Sequence, residues 1–332
     1  MAHSNSSLSL FTDCAAKYKH AKILHSKPCK PPSPHLTFGT MAHDVLYKAG
    51  VLRDEAADGV VNTEEYNSII PSELLYNELQ HEFQIHSWKR YFVPIITRIA
   101  EYEKDIAKTF NEPFRIEREV KLQMTVDELF EIGYSGFDQS IVGIIDCLFV
   151  GETEAVIIDY KFSSSKKTQD DFDMNSQLYL YAFFVHHKYD IPLHNIIVGY
   201  IDIPKKTFDQ PALLTNGTLS RSKSQNVLPE LYKKAVIAIH GDDPKYNCEP
   251  GGYYYDCYCN LALNDVAYLS TQYLDMEAYG HIVNDMLCTA SFIDLIVREK
   301  YPFPRKHSAY DCKGCEYLDS CKPWLTVNGG EE

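Results

Sequence analysis

The segment Ser140 to Lys161, SIVGIIDCLFVGETEAVIIDYK, holds two short apolar, β-branched runs joined by a turn-like connection at Gly151 to Glu154. Runs of this length and composition form strands rather than helices. Each run delivers an acidic residue after two isoleucines, in G-I-I-D at Gly143 to Asp146 and in I-D-Y-K ending at Lys161. If the runs are neighbours in one sheet, the turn returns Asp159 beside Asp146, and the period-two alternation of a strand puts Asp159 and Lys161 on one face. Two carboxylates and an ammonium then converge at the edge of a buried core, where charge needs a partner or a metal.

That constellation has a definite chemistry. Hard divalent cations such as Mg²⁺ or Mn²⁺ take oxygen ligands, and Asp146, Asp159 and the backbone carbonyl of Tyr160 could hold one with positions left for water and phosphate. The metal would act as a Lewis acid on a phosphoryl oxygen and help to ionise water. Lys161 would orient or deprotonate that water and balance charge. Downstream, Gln177 and Tyr181 are four apart and share a helix face, while Leu178, Ala182 and Val185 form a separate apolar stripe. Upstream, His43 in F-G-T-M-A-H-D-V-L could add an imidazole nitrogen, and Glu119 is a weaker candidate for positioning or a second metal.

Outward from the strands, residues 7–25 read as a short helix carrying Cys14, and Lys27 to Pro34 as a proline-rich connection. A turn at Phe38-Gly39-Thr40 is expected to open a helix bearing His43. Apolar residues from Leu74 to Ile106 repeat with helical period, with a break expected near Pro94. Phe114 to Met124 is a further strand, 170–187 a helix, and His194 to Ile203 a buried strand. Residues 204–262 are rich in Gly, Pro, Ser and Lys, with a helix near 229–240 and a strand at Tyr253-Tyr254-Tyr255. A long helix is expected over 263–299. The organisation predicted is a helical lobe at 1–112, an α/β core at 113–203, an insertion at 204–262 and a C-terminal helix and cysteine tail at 263–332.

The chain has 332 residues with 32 Lys and Arg against 46 Asp and Glu, a net charge of −14. Composition is that of a globular protein and excludes a disordered or collagen-like one. Such a chain does not coat DNA by bulk charge, so any nucleic-acid contact needs a local basic groove or a metal. Neither a secretory signal nor a membrane-length apolar run stands out, so a cytoplasmic, intracellular protein is expected. Ten cysteines in that setting are thiols or ligands rather than a disulfide framework.

Three of them form C-x2-C-x5-C at Cys312, Cys315 and Cys321, a spacing suited to zinc or an iron–sulfur cluster. A fourth ligand must come from elsewhere: Cys14, Cys29 or the Cys257/Cys259 pair. Cys147 and Cys288 lie inside expected elements.

Taken in order, these segments resemble the PD-(D/E)XK nuclease superfamily, and within it the RecB-like and CRISPR-associated-type exonucleases with a four-cysteine iron–sulfur cluster, phage-encoded relatives included. S-L-S-L-F-T-D-C-A-A-K-Y-K-H at Ser7 to His20 resembles the opening segment, in which a cysteine precedes a basic, aromatic helix, G-T-M-A-H at Gly39 to His43 the histidine motif, and Q-L-Y-L-Y at Gln177 to Tyr181 the motif that follows G-I-I-D and I-D-Y-K. The resemblance implies a restriction-endonuclease-like α/β fold, a central mixed sheet flanked by helices, with a helical lobe and a C-terminal cluster region. It implies metal binding by His43, Asp146 and Asp159, catalysis by Lys161 with support from Gln177 and Tyr181, and a [4Fe-4S] cluster on Cys14, Cys312, Cys315 and Cys321. The expected activity is Mg²⁺- or Mn²⁺-dependent DNA exonuclease action, from single-stranded ends, in recombination, repair or phage DNA metabolism, with a helicase or recombination partner and no membrane. Tyr91 and Phe92 would be available for base stacking, and Lys205, Lys206, Arg221, Lys223, Lys233 and Lys234 for a strand path. Two other readings are a DNA-end-binding accessory protein that keeps the fold, and a zinc-binding interaction module on an α/β domain.

Overall fold

The computed structural model describes residues 2–56, 61–72, 74–163, 168, 170, 172, 175–261, 264–304, 312, 313 and 315–321. A mixed sheet carries strands β1 (His3–Ser4), β2 (Arg115–Met124), β3 (Ile141–Val150), β4 (Ala155–Ser163), β5 (Ile196–Pro204) and β6 (Tyr268–Tyr273). The expected hairpin forms: Cys147–Val150 pairs antiparallel with Ala155–Ile158. β4 and β5 are parallel over their whole length, joined by helix α4 (Ser176–Tyr189), while β6 closes the far edge antiparallel to β5. β2 runs along one edge of β3 from Ile141 to Val150. β4 and the short β1, which pairs at Ile141 and Val142, therefore share the opposite edge. Among the described residues, no strand pairs with β3 on that edge between Gly143 and Asp146.

Helices cover both faces. Helices α1 (Asn5–Asp13) and α6 (Met276–Arg298) join α4 on one side, over Ile145, Leu148, Ile157 and Tyr200. α4 lies between sheet and outer helices, and every residue from Leu178 to Val185 is buried. That explains why an unbroken apolar run replaces a stripe there. Helices α2 (Pro34–Glu55) and α3 (Trp88–Ala107) cover the other side, over Cys147, Phe149, Ile158 and Tyr160. The insertion has its own small core around helix α5 (Pro229–His240), with Tyr232, Tyr254 and Cys257 buried.

Several local expectations are corrected. No turn occurs at Phe38-Gly39-Thr40, because α2 already begins at Pro34 with Ser33 capping the Leu36 N–H; Ser followed by Pro is a strong helix start. Pro94 does not break α3, whose buried Phe92, Ile95, Ile96 and Ile99 hold the helix together across the lost hydrogen bond. The helix expected over 7–25 is split at Cys14, which is extended between α1 and the short helix Ala15–Tyr18. Tyr253 and Tyr254 lie in a turn, and Tyr255 starts a helix to Leu261. The long helix expected from 263 is a strand, β6, followed by α6, with Asp275 capping the Glu277 and Ala278 N–H groups at the boundary. The helix expected over 170–187 is Ser176–Tyr189, and Asp171, Asp173 and Met174 lie outside the described residues. By length and composition α6 could cross a membrane. Here it packs against α4 and α1, with Leu287, Ala290 and Ile293 buried and Asp294 bonded to His3 at 2.8 Å.

Candidate active site

Asp146 stands where β3 loses both of its ladders. Towards β2, Arg118 pairs with Cys147 and Val120 with Ile145, leaving Glu119 and Asp146 facing one another without a backbone pair. Towards β4, pairing stops at Cys147 and Ile158, one step short of Asp146 and Asp159. Glu119 carries the distortion, with φ 46°, a left-handed conformation that costs a non-glycine residue of order 1–3 kcal/mol. On β2 it exchanges the two faces: Ile116 packs towards α2 and α3, whereas Leu122 and Met124 pack towards α4. β3 inverts at the same level, Ile145 facing α4 and Cys147 facing α3. Ile144 is consequently 52% exposed rather than part of the core.

Asp146 thereby reaches both layers through a seam in the sheet. Its Oδ2 accepts the Tyr160 N–H at 2.7 Å in place of the lost ladder bond. Its Oδ1 lies 3.1 Å from Nδ1 of His43, which comes from α2 on one side. The N–H and C=O of a strand residue point to the same side, so the Tyr160 carbonyl faces the same opening. From the other side, Lys161 Nζ lies 2.7 Å from Oδ2 of Asp159 and donates to Gln177 Oε1 at 2.9 Å. Gln177 Nε2 in turn donates to the Tyr181 hydroxyl at 2.6 Å. Asn175 starts α4 by accepting the Leu178 N–H, so Gln177 and Tyr181 project from its first turns. Gly143 lets the helix come this close: a Cβ there would stand 2.8 Å from the Phe184 ring and 3.1 Å from that of Tyr181.

The electrostatics are unbalanced. Burial pushes the Asp159 carboxyl up to about 6, with Lys161 opposing and the Asp146 charge adding to the rise. Burial disfavours the imidazolium of His43, but the hydrogen bond and charge of Asp146 outweigh it, and its pKa is raised. Burial and then the Asp146 charge also raise Glu119. Burial, then the Asp159 charge, raises the Tyr181 hydroxyl.

An oxygen-rich donor set of this kind fits a hard divalent cation. Oδ2 of Asp159 is buried and accepts no hydrogen bond, since Lys161 approaches it off the hydrogen-bonding direction. A cation would relieve that atom and the repulsion between the two carboxylates. Among the described residues, though, no three His, Cys, Asp or Glu side chains are gathered around one point. The carboxylates are turned to His43, Tyr160 and Lys161, and a cation would have to exchange with those contacts.

The profile of the PD-(D/E)XK nuclease superfamily matches residues 2–322. The chain belongs to that superfamily. Nucleases of this superfamily usually use Mg²⁺ or Mn²⁺ and act on DNA. Among solved structures, the chain is similar to a protein of Eubacterium rectale described as a "Putative exonuclease", at 11% identity over 99% of this chain and 94% of that one, with a TM-score of 0.44. It is also similar to the protein SSO0001, at 12% identity over 84% of each chain, with a TM-score of 0.26. No curated protein matches the chain.

Other sequence-derived candidates of this nuclease fall elsewhere. Cys14 is half-buried and Cys29 exposed. The tail docks beside the second of these: the Cys29 N–H donates to the Glu316 carbonyl at 2.7 Å, and Lys17 pairs with Glu316 at 3.4 Å. The Tyr317 N–H donates to Cys315 Sγ at 3.4 Å. Cys14, Cys312, Cys315 and Cys321 do not form a gathered ligand set among the described residues, so the fit to a cluster is incomplete. Tyr91 and Phe92 are buried in the core of the helical lobe, and the Tyr91 hydroxyl is spent on the Pro204 carbonyl, so neither is placed to stack on a base. Lys233 is paired with Glu249, and Arg221 lies over the Tyr253 ring.

Two features escaped the sequence. Asp202, 1% exposed, is the β5 neighbour of Lys161 and shares its face; its signal was an acid directly after an isoleucine in a buried strand, as at Asp159. Behind the seam, Glu103 on α3 accepts hydrogen bonds from Arg53 on α2 and Arg118 on β2. Arg118 also pairs with Asp54 and contacts Cys147 Sγ at 3.7 Å.

Proposed function

We propose that the chain is a metal-dependent DNA exonuclease that hydrolyses phosphodiester bonds from single-stranded ends, in recombination, repair or phage DNA metabolism, as RecB-like nucleases do. The observation that carries this reading is Lys161, held between buried Asp159 and the Gln177–Tyr181 pair beside the opening into which Asp146 and the Tyr160 carbonyl face. Asp146, Asp159 and the Tyr160 carbonyl, with His43 at the rim, would hold Mg²⁺ or Mn²⁺. When bound, that ion supplies Lewis-acid polarisation of the phosphoryl group and lowers the pKa of water. Lys161 orients the attacking water and stabilises developing negative charge. Gln177 fixes the ammonium by accepting from it, and Tyr181 fixes Gln177.

An intracellular location and a helicase or recombination partner go with this reading. For the tail we propose a [4Fe-4S] cluster on Cys14, Cys312, Cys315 and Cys321, with zinc as the other metal that thiols of this spacing take; the docking of Glu316 against Cys29 and Lys17 supports a structural clamp between the N-terminal segment and the tail. Iron and zinc analysis of purified protein, with absorbance near 400 nm, separates the two.

The activity test is digestion of end-labelled single- and double-stranded DNA with Mg²⁺ or Mn²⁺. Wild-type protein should release nucleotides, faster from single strands. Lys161→Ala should lose about 10²–10³-fold in rate with an unchanged melting curve. Cleavage by Lys161→Ala within tenfold of wild type would remove the lysine from the chemistry.

A further inference from the structure

The carboxyl ends of β4 and β5 open onto a line of cations that the catalytic constellation does not use. Ser163 lies two residues beyond Lys161 on the same strand, about 7 Å away, and is the β4 neighbour of Pro204. Both residues wall a depression of about 490 Å³ that also holds Lys205 and Lys206. Pro204 and Lys206 are shared with a larger cavity of about 690 Å³ between α3 and the insertion. On its wall stand Lys89 and Arg90, in the first turn of α3, with His86 just before them and Phe208 opposite. Asp209 is the one acid lining it among the described residues.

This placement runs against ordinary electrostatics. The N-terminal end of a helix is its positive end and favours acids, yet α3 has none in its first turn and carries Lys89 and Arg90 there. Most arginines of this acidic chain, among them Arg53, Arg98, Arg118 and Arg298, sit on carboxylates. Lys89, Arg90 and Lys206 have no carboxylate within ion-pair distance among the described residues. Cations that outnumber the acids beside them, Asp209 in the cavity and Glu82 in the adjoining depression, are stabilised when an anion enters among them. Lys206 Nζ stands 5.6 Å over the half-buried Phe208 ring, so an aromatic surface accompanies the charge. Basic side chains interleaved with an aromatic ring suit a sugar–phosphate backbone with unstacked bases. A cavity of this volume takes a ligand of nucleotide size and is too small for a duplex.

We propose that this cavity holds a single strand of nucleic acid, with Lys89, Arg90 and Lys206 on successive phosphates, and that the depression at Lys205 leads that strand to Lys161. The proposal rests on the nuclease reading for its direction, and its test is separable from it. Binding of a fluorescent oligothymidylate is measured by anisotropy in EDTA over a salt series, with cleavage assayed in parallel in Mg²⁺ and in Mn²⁺. The triple variant Lys89→Gln/Arg90→Gln/Lys206→Gln should bind at least about tenfold more weakly. Its salt slope should flatten by about 2, as expected for three lost phosphate contacts on a single strand, and its KM should rise with kcat within twofold. Lys108→Gln, at the other end of α3, should match wild type. Lys206→Gln alone, should the triple variant misfold, is expected to weaken binding about threefold. Unchanged binding and KM in the variants overturns the proposal, as does wild-type protein that does not bind the oligonucleotide. Wild-type protein that binds through these residues and yet cleaves nothing with either metal keeps the strand path and sinks the nuclease reading.

Discussion

Two clusters of buried charge lie back to back across the sheet and are built differently. Around Glu103, two arginines donate to both carboxylate oxygens, and Asp54 takes what remains of Arg118. Burial alone would raise the Glu103 pKa, but the charges and hydrogen bonds of Arg53 and Arg118 outweigh it and hold the carboxyl below its ordinary range. Around Asp159 the balance is reversed: one lysine, placed off-axis, faces two carboxylates, and Asp159 is pushed up to about 6. The first cluster is balanced in charge by the chain itself, although Arg53 Nη1 is left without a hydrogen-bond partner among the described residues. The second is left short of positive charge, which is how a site prepared for a cation differs from one that only ties helices to a sheet.

The comparison has measurable consequences. Glu103→Ala leaves two buried guanidinium groups without their shared partner and should cost about 3–5 kcal/mol of stability, read from denaturant unfolding. A loss below about 1 kcal/mol would show that the cluster contributes little. Gly143→Ala should cost about 1–3 kcal/mol through overpacking against Phe184 and Tyr181 and should lower cleavage by displacing Tyr181; unchanged stability and rate would mean that α4 is free to shift. Asp159→Asn should behave oppositely to Glu103→Ala, abolishing cleavage while leaving the metal-free melting temperature unchanged or raised, because a carboxyl with an elevated pKa is a cost to the folded state near neutrality. A clear drop in melting temperature would make Asp159 a structural residue. The smallest effect is on acid stability. The folded pKa of Glu103 is lowered, so its contribution is fully present above the titration range of an unfolded glutamate, about 4.3, and is lost as pH falls through the folded value. Glu103→Gln should therefore flatten the acid limb of the melting-temperature profile, and an unaltered limb would contradict the pairing.

Much of the core was legible because its strands alternate and its turns are short. Asp146, Asp159 and Lys161 lie on adjacent strands joined by four residues, Gln177 and Tyr181 are one helical turn apart, and such local spacings translate directly into proximity. His43 was placed on the right element although the helix start was mistaken, since Ser33-Pro34 outweighs the Gly39 signal. The face inversion at Glu119 was not legible, because a left-handed glutamate has no mark in residue type. Nor was β6: YLSTQY runs without Gly or Pro towards an apolar helix, and Asp275 is the sole boundary signal. The Glu103 cluster joins residues from α2, α3 and β2, and only tertiary structure brings them together.

The most direct test of the seam as a cation site is a crystal of the protein soaked in Mn²⁺ and measured for anomalous scattering. The expected result is one peak between β3 and β4, in contact with carboxylate oxygens of both Asp146 and Asp159 and absent from Asp159→Asn crystals. Manganese bound only elsewhere, or none with the two carboxylates still turned to His43 and Lys161, would contradict the account.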